Sequence, residues 1–162
     1  PRRPAFDANR QAEIEAVKPV IERLKETGWT FGSHTWGHIR LDSRPLESVQ
    51  RDTVRWAEEV GSLVGPTNIL FYPHGGRPDG DDWHSTGPVF QYLQSQGFRI
   101  FASVGINSFS YIKKEISAVI CDRLHPDGTT LRNGKALEWY SQFYDAREII
   151  DLDVRPDLGV TW

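Results

Sequence analysis

The spacing of apolar residues along this 162-residue chain changes repeatedly between the period of a helix and the period of a strand. Ile14, Val17, Ile21 and Leu24 recur every three or four residues, as one face of an amphipathic helix requires. Residues 68–72 instead form a short apolar run that is typical of a buried strand. Because helical and strand-like segments alternate almost throughout, the sequence predicts an α/β architecture, with a parallel sheet and crossover helices.

The predicted elements are four helices and about five strands. Helices are expected over residues 11–27, 46–63, 86–96 and 134–145. Strands are expected over residues 29–34, 68–72, 98–104, 117–121 and 148–152. A closed eight-stranded barrel takes about 250 residues, so this chain is expected to form an open sheet or an incomplete barrel. Residues 1–10 are expected to form an extended arm.

Composition argues against several classes of partner. The formal net charge of −3 and the pI of about 6.0 provide no basic field for the backbone of a nucleic acid. The apolar runs are much shorter than the roughly 20 residues that span a bilayer, so no transmembrane segment is expected. Cys121 is the single cysteine, and it forms no intrachain disulfide. Because the chain lacks methionine and starts with Pro-Arg-Arg-Pro, we expect a fragment or a processed product.

Two histidines four residues apart lie directly after the predicted strand at 29–34. They are His34 and His38 of the stretch GSHTWGH. Neutral imidazole is a good zinc ligand, and a turn that closes over four residues aims two rings at one ion. Catalytic zinc commonly has three protein ligands, so this pair is one ligand short. The alternative is a pair of unrelated polar residues at a strand end, or a buried histidine bonded to the backbone.

Polar clusters follow three of the predicted strands. GSHTWGH follows the strand at 29–34, FYPHGG at 71–76 follows the next strand, and CDRLH at 121–125 ends a later one. All three clusters therefore lie at the carboxyl ends of strands. In parallel α/β folds the loops at that edge of the sheet build the site, so the sequence predicts a functional site there.

The segment LKETGWTFGSHTWGH resembles the second signature of the polysaccharide deacetylase family, carbohydrate esterase family four. In that signature a histidine, a serine or threonine, two variable residues and a second histidine follow a strand. Members of the family remove acetyl groups from N-acetylated sugars with a divalent metal. The resemblance implies that His34 and His38 are two ligands of an aspartate-histidine-histidine triad, and that Thr35 orients the loop. The implied metal is zinc, with cobalt as an alternative.

The stretch FYPHGG resembles the third signature of the family, in which phenylalanine, arginine, proline, a variable residue and glycine follow one another. Phe71, Pro73 and Gly75 match, whereas Tyr72 stands where arginine is usual. In the family that arginine orients the catalytic aspartate. The resemblance implies that this loop is a groove wall, and that the backbone N–H of His74 helps to hold the tetrahedral oxyanion. Without the resemblance, the same residues make a simple turn.

Two further signatures of the family match poorly. The first signature supplies the catalytic base and the third metal ligand as two aspartates, and Ala5-Phe6-Asp7 lacks the second acid. We therefore expect that this signature and the N-terminal strands precede residue 1, and that this segment alone is inactive. The last signature has a leucine two residues before a histidine that acts as general acid. The resemblance implies this role for His125, although Arg123 stands at the leucine position and HPDG is also good turn chemistry.

The resemblance implies an incomplete or distorted (β/α) barrel of the polysaccharide deacetylase type, with residues 11–162 as a partial domain after the arm. The implied substrate is a polysaccharide that contains N-acetylglucosamine. By analogy with the family, the implied location is extracytoplasmic, either secreted or at the cell envelope. The residues expected to contact the sugar are Trp36, Tyr72, Pro73, Gly75 and Trp83.

Two other functions stay open on the sequence alone. A non-catalytic descendant of the fold that binds carbohydrate or cell wall would retain the histidine pair without turnover, and the departures at Tyr72 and Arg123 allow this. The second function is that of a different metal-dependent amidohydrolase, which would act on a small molecule. A deep closed pocket would favour that enzyme, and a shallow open groove would disfavour it.

Overall fold

The computed structural model describes residues 8–80, 87–104, 117–123, 138 and 142. Its helices are α1 (Ala8–Glu26), α2 (Leu46–Trp56), α3 (Ser62–Val64) and α4 (Pro88–Ser95). A π-helical turn (Ala57–Gly61) joins α2 to α3, and a 3-10 turn (Pro73–Gly75) follows the first strand. The strands are β1 (Ile69–Phe71), β2 (Ile100–Val104) and β3 (Val119–Arg123).

The three strands form a parallel sheet in the order β1-β2-β3. Phe71 pairs with Ala102, and Ala102 pairs with Cys121. Helix α4 lies in the connection from β1 to β2, as the crossover between parallel strands requires. The predicted α/β class with a parallel sheet is therefore confirmed, while the described residues show no closed barrel.

The predicted strand at 29–34 is reduced to a single bridging residue. The N–H of Ser33 donates to the carbonyl of Ile69 at 2.9 Å, and the N–H of Phe71 donates to the carbonyl of Ser33 at 2.8 Å. Gly32 precedes this bridge and lies so close to the Phe71 ring that a Cβ would meet it at 2.5 Å. Because glycine brings no side chain to a sheet face, this segment has little apolar area to stabilise a longer pairing.

One face of the sheet is covered by α2 and α4. The rings of Phe90 on α4 and Phe101 on β2 lie 4.9 Å apart, and both residues are fully buried. The buried apolar cluster on this face is Leu41, Val49, Leu70, Tyr72, Val89, Phe90, Leu93, Phe98, Phe101, Ala118 and Ile120. Removal of this apolar surface from water is what holds the helices against the sheet.

The opposite face of the sheet is only partly buried among the described residues. Successive strand residues point to alternate faces, so Phe71, Val104 and Arg123 share this second face. All three are intermediate in exposure. The carboxyl ends of β1 and β3 therefore bring an aromatic ring and a guanidinium to the edge where the sequence predicts the site.

Several predicted boundaries differ from the structure or lie beyond it. Helix α1 begins at Ala8 and so takes in the last residues of the expected arm at 1–10. Of the helix predicted over 134–145 only Glu138 and Gln142 are described, and the strand predicted over 148–152 lies outside the described residues. Among the described residues, no helix combines the length and the apolar character needed to cross a membrane.

Candidate active site

Three histidine rings meet beyond the carboxyl end of β1. The ring centroids of His34 and His38 lie 4.8 Å apart, and those of His38 and His74 lie 4.5 Å apart. The two ring planes in each pair are inclined by 74°. The structure thus brings together His34 and His38, as the sequence predicts. It also adds the side chain of His74, for which the sequence predicted only a backbone role.

The tautomer of His34 is set by a hydrogen bond to the main chain. Its Nδ1 lies 2.5 Å from the carbonyl oxygen of Phe71. A carbonyl oxygen only accepts, so Nδ1 carries the proton. In the neutral ring Nε2 then keeps its lone pair, which is the form in which a histidine coordinates a metal. This contact fixes both the orientation of the His34 ring and the nitrogen that is available for a ligand.

The loop between the two histidines is held from α2 by Asp52. Its Oδ1 accepts the N–H of Trp36 at 2.8 Å, and its Oδ2 accepts the N–H of Gly37 at 2.7 Å. Asp52 is only 9% exposed, so both bonds are largely shielded from water. Asp52 is not among the site residues predicted from the sequence. The available signal was a carboxylate between Val49 and Trp56 on the buried face of a helix.

Two loop residues adopt the left-handed backbone region, Thr35 at φ 58° and His38 at φ 51°. This conformation is uncommon outside glycine, and a β-branched residue such as threonine rarely adopts it. The Oγ1 of Thr35 accepts the N–H of Ile39 at 3.1 Å, and the N–H of Thr35 donates to Oγ of Ser33 at 3.2 Å. Local side-chain bonds therefore hold the loop on both sides of Thr35.

The indole of Trp36 lies against the end of α2. The Arg55 guanidinium carbon is 3.6 Å from its ring centroid, and the indole N–H donates to Oε2 of Glu59 at 3.0 Å. Glu59 also accepts bonds from Arg55 at 2.8 Å and Arg10 at 2.7 Å. Hydrogen bonds from Arg55 and Trp36 hold the pKa of Glu59 below its usual value, against the opposing effect of partial burial. Arg55 covers one face of Trp36, and 36% of the residue remains exposed.

His74 is positioned by a tight turn at the end of β1. It has φ 57° and ψ 17°, and the following Gly75 has φ 65°, so two consecutive residues are left-handed. The N–H of Gly76 closes the turn by donating to the carbonyl of Pro73 at 3.0 Å. The predicted turn chemistry of this segment is therefore observed, and it directs the imidazole of His74 toward His38.

Tyr72 does not present an aromatic face to solvent. It is 1% exposed and belongs to the apolar cluster under α2 and α4, and its N–H donates to the carbonyl of Ala102 at 3.1 Å. Pro73 is also fully buried. Because neighbouring strand residues alternate in direction, Tyr72 points to the covered face while Phe71 points to the other. The contacts with sugar expected at Tyr72 and Pro73 are therefore not observed.

Arg123 reaches the same edge from the end of β3. Its guanidinium carbon lies 5.5 Å from the centroid of the Phe71 ring. The Nε atom is buried and has no hydrogen-bond partner among the described residues. Burial lowers the pKa of this guanidinium, although an arginine remains protonated at neutral pH. In the sequence, Arg123 is notable only because it stands at the leucine position of the signature that CDRLH resembles.

The pKa of His38 lies below its ordinary value. Neighbouring groups partly desolvate the ring, which disfavours its charged form, and positive charge on His34, His74 and Arg123 lowers the pKa further. The residue as a whole is still exposed, so solvent screens these repulsions. His38 therefore favours the neutral form, which is the form that binds metals.

The described residues contain no group of three or more histidine, cysteine, aspartate or glutamate side chains arranged to hold a metal ion. The metal-ligand role predicted from the sequence for His34 and His38 therefore stays a prediction, and no third such ligand joins them within the described part of the chain. Two other predicted site residues, Trp83 and His125, lie outside the described residues.

An open groove of about 540 Å³ lies at the other edge of the sheet. Among its lining residues are Trp29, Asn68 before β1 and Gly97 before β2. These positions are at the amino ends of the strands, away from the three histidines. The side-chain chemistry therefore locates the candidate site, and this groove does not coincide with it.

The sequence model of the polysaccharide deacetylase family matches residues 6–98, which is more than half of the chain and includes all three clustered histidines. The chain therefore belongs to the polysaccharide deacetylase family, and the resemblance seen in its signatures is confirmed. The family consists of deacetylase-type hydrolases of the carbohydrate esterase class, which implies an acetylated carbohydrate as substrate. No match was found among curated proteins or among solved structures.

Proposed function

We propose that this chain carries the histidine pair of a metal-dependent N-deacetylase that acts on a polysaccharide containing N-acetylglucosamine. The observation that supports this most is the convergence of His34 and His38 at the carboxyl edge of the sheet, with Nε2 of His34 left as the coordinating nitrogen. Family membership supports the reaction class.

The spacing of the two rings fits one shared ion. With Zn–N bonds of about 2.0–2.1 Å and tetrahedral angles, two coordinated imidazoles have centroids about 5 Å apart. The observed separation of 4.8 Å agrees with this value. Zinc, or cobalt as an alternative, suits imidazole ligands. We propose that a carboxylate from outside the described residues completes the ligand set, because those residues contain no third ligand in place.

Each residue of the site then has a defined task. A bound divalent ion would supply Lewis acidity and lower the pKa of its water. His34 and His38 would hold it, while the bonds from Asp52 keep their loop in one geometry. The backbone N–H of His74 is proposed to donate to the developing oxyanion, a contribution worth roughly 10²- to 10³-fold for one donor. His125 is proposed as the general acid for the departing amine.

The sheet is proposed to be part of an incomplete or distorted (β/α) barrel, with its half-buried face toward the barrel interior. The parallel order of the strands and the apolar residues on that face support this. Trp36, Gly75 and Trp83 are proposed to line a shallow substrate groove, and an extracytoplasmic site of action is proposed from the nature of the substrate.

Acetate release from N-acetylglucosamine oligomers by the complete protein, with zinc or cobalt and with a chelator, tests this function. We expect release that the chelator abolishes. We also expect His34→Ala and His38→Ala to lose the activity together with the tight metal site, while Glu47→Ala, which removes an exposed carboxylate on α2, keeps both. Activity that is unchanged by the chelator and by both substitutions would contradict the proposal.

A second candidate is a non-catalytic carbohydrate-binding descendant of the fold. It is favoured by the buried tyrosine at position 72, where the family has arginine, and by the incomplete ligand set of the described residues. Binding of the oligomers without acetate release, at saturating metal, would favour this candidate over the enzyme.

A further inference from the structure

Trp29 is the most exposed large apolar residue in the described part of the chain, with 66% of its surface accessible. It directly follows the end of α1, and its N–H donates to the carbonyl of Leu24 at 3.0 Å. The N–H of Gly28 donates to the carbonyl of Lys25, also at 3.0 Å. In a helix cap with these two bonds, the residue after the glycine often packs back on the helix. Trp29 instead has a fixed backbone and a side chain that remains accessible to a ligand.

Trp29 lines the open groove of about 540 Å³ at the amino edge of the sheet, which we call the amino-edge groove. Its volume lies within the range of about 300–1,000 Å³ that is typical of small-molecule sites. Hydrogen bonds to the main chain join the segments around it. The Oγ1 of Thr67 donates to the carbonyl of Phe31 at 2.7 Å, and the carbonyl of Asn68 accepts the N–H of Arg99 at 2.8 Å. The groove is therefore preformed, which lowers the entropic cost of binding.

The lining of the amino-edge groove favours an uncharged polar ligand with an apolar face. Among the residues that line it, Lys25 alone is charged, and its ammonium is paired with Glu22 at 3.1 Å. Thr30, Asn68 and Gln96 also line the groove, and all three are exposed. Their hydroxyl and amide groups both donate and accept hydrogen bonds. A sugar ring matches this lining, because its C–H groups form an apolar face for an indole while its substituents are polar.

We propose that the amino-edge groove is a second carbohydrate-binding site, in which a sugar ring stacks on Trp29 and forms hydrogen bonds with Asn68 and Gln96. The ligand is an uncharged N-acetylated glycan, a choice that rests on the proposed function. The three histidines lie at the opposite edge of the sheet, so the two sites would hold different sugar units. Binding at two sites would raise the affinity for a polymer above that for a single sugar.

Titration of the complete protein with N-acetylglucosamine oligomers in the presence of a chelator is the direct test, followed through backbone amide resonances. Gly97 lines the amino-edge groove and Gly37 lies in the histidine loop, so their N–H groups report the two sites separately. We expect the Gly97 resonance to shift and to reach saturation. A Gly97 resonance that the oligomers leave in place would overturn the proposal, whether the groove is empty or filled by another segment of the complete protein.

Substitution of Trp29 tests the aromatic contact. Trp29→Ala should weaken the binding that Gly97 reports by about tenfold or more, the usual effect of truncating a central tryptophan. Trp29→Phe keeps an aromatic ring and should weaken this binding less. The matched control is Val20→Ala, which changes a residue of α1 that is 53% exposed and does not line the groove, and it should leave binding unchanged. Equal affinity in Trp29→Ala and in the wild type would overturn the proposal.

The wild-type titration needs no variant, so it remains decisive if Trp29→Ala fails to fold. Neither measurement involves metal or turnover. A failure of the deacetylase assay is therefore distinguishable from a failure of this second site.

Discussion

The two segments that carry the clustered histidines are held in different ways. The loop with His34 and His38 is fixed by polar side chains, above all by the two bonds from Asp52. The turn with His74 is instead anchored by burial, since Tyr72 and Pro73 are fully enclosed at its start. We therefore expect changes at the turn to lower the stability of the whole fold. Changes in the loop should mainly disturb the geometry of the site.

The largest effect on stability is expected at the base of the turn. Tyr72→Ala removes a ring that is 1% exposed and leaves a cavity under α2 and α4. Substitutions of large buried aromatic residues by alanine cost about 3–5 kcal/mol in the free energy of unfolding. Denaturant unfolding followed by circular dichroism measures this loss. The control Val54→Ala, at a position that is 49% exposed, should change stability by less than about 0.5 kcal/mol.

Asp52→Ala should have a smaller effect on stability and a larger one on the site. It leaves the N–H groups of Trp36 and Gly37 without acceptors, at a cost of about 1–3 kcal/mol. Because the loop then loses its fixed geometry, zinc affinity should fall by about 10- to 100-fold, as for other positioning residues around metal ligands. Calorimetric zinc titration tests this against Glu47→Ala, an exposed carboxylate on the same helix. Equal zinc affinity in both variants would show that the loop does not depend on α2.

Thr35→Val should lower the free energy of unfolding by a still smaller amount. The substitution keeps the branched shape but removes the Oγ1 that accepts the N–H of Ile39, at about 1 kcal/mol. Thr35→Ser retains the hydroxyl and serves as the control. Amide hydrogen exchange at Ile39 should become faster in the valine variant alone. Equal protection in both variants would mean that the hydroxyl does not hold the loop.

The smallest expected effect is a change of one pKa. His38 has a lowered pKa to which repulsion from His74 contributes, so His74→Gln removes a positive neighbour and should raise the pKa of His38. The exposed position of His38 keeps this rise small. NMR titration of the His38 ring protons measures it. An unchanged or lower pKa would indicate that the turn and the loop do not meet in solution.

The difference between the loop with His34 and His38 and the turn with His74 also explains which features could be predicted from the sequence. The order of helices and strands follows from local apolar spacing, and the position of the site follows from which residues end the parallel strands. The role of Asp52 could not be predicted, because its partners Trp36 and Gly37 are distant from it in the sequence and only folding brings them into contact. The buried side chain of Tyr72 was missed for a related reason. A strand of three residues is too short for its alternation to show which side chain faces the helices.

The most direct test of the central claim is zinc titration of the complete protein, followed through the ring nitrogens of ¹⁵N-labelled histidine. Zinc bound by this pair should shift Nε2 of His34 while its Nδ1 keeps the proton that it donates to Phe71. His38 should respond at the same zinc concentration, since both rings would share one ion. Titration of the two rings at different concentrations, or zinc binding that leaves both rings unshifted, would contradict the shared site.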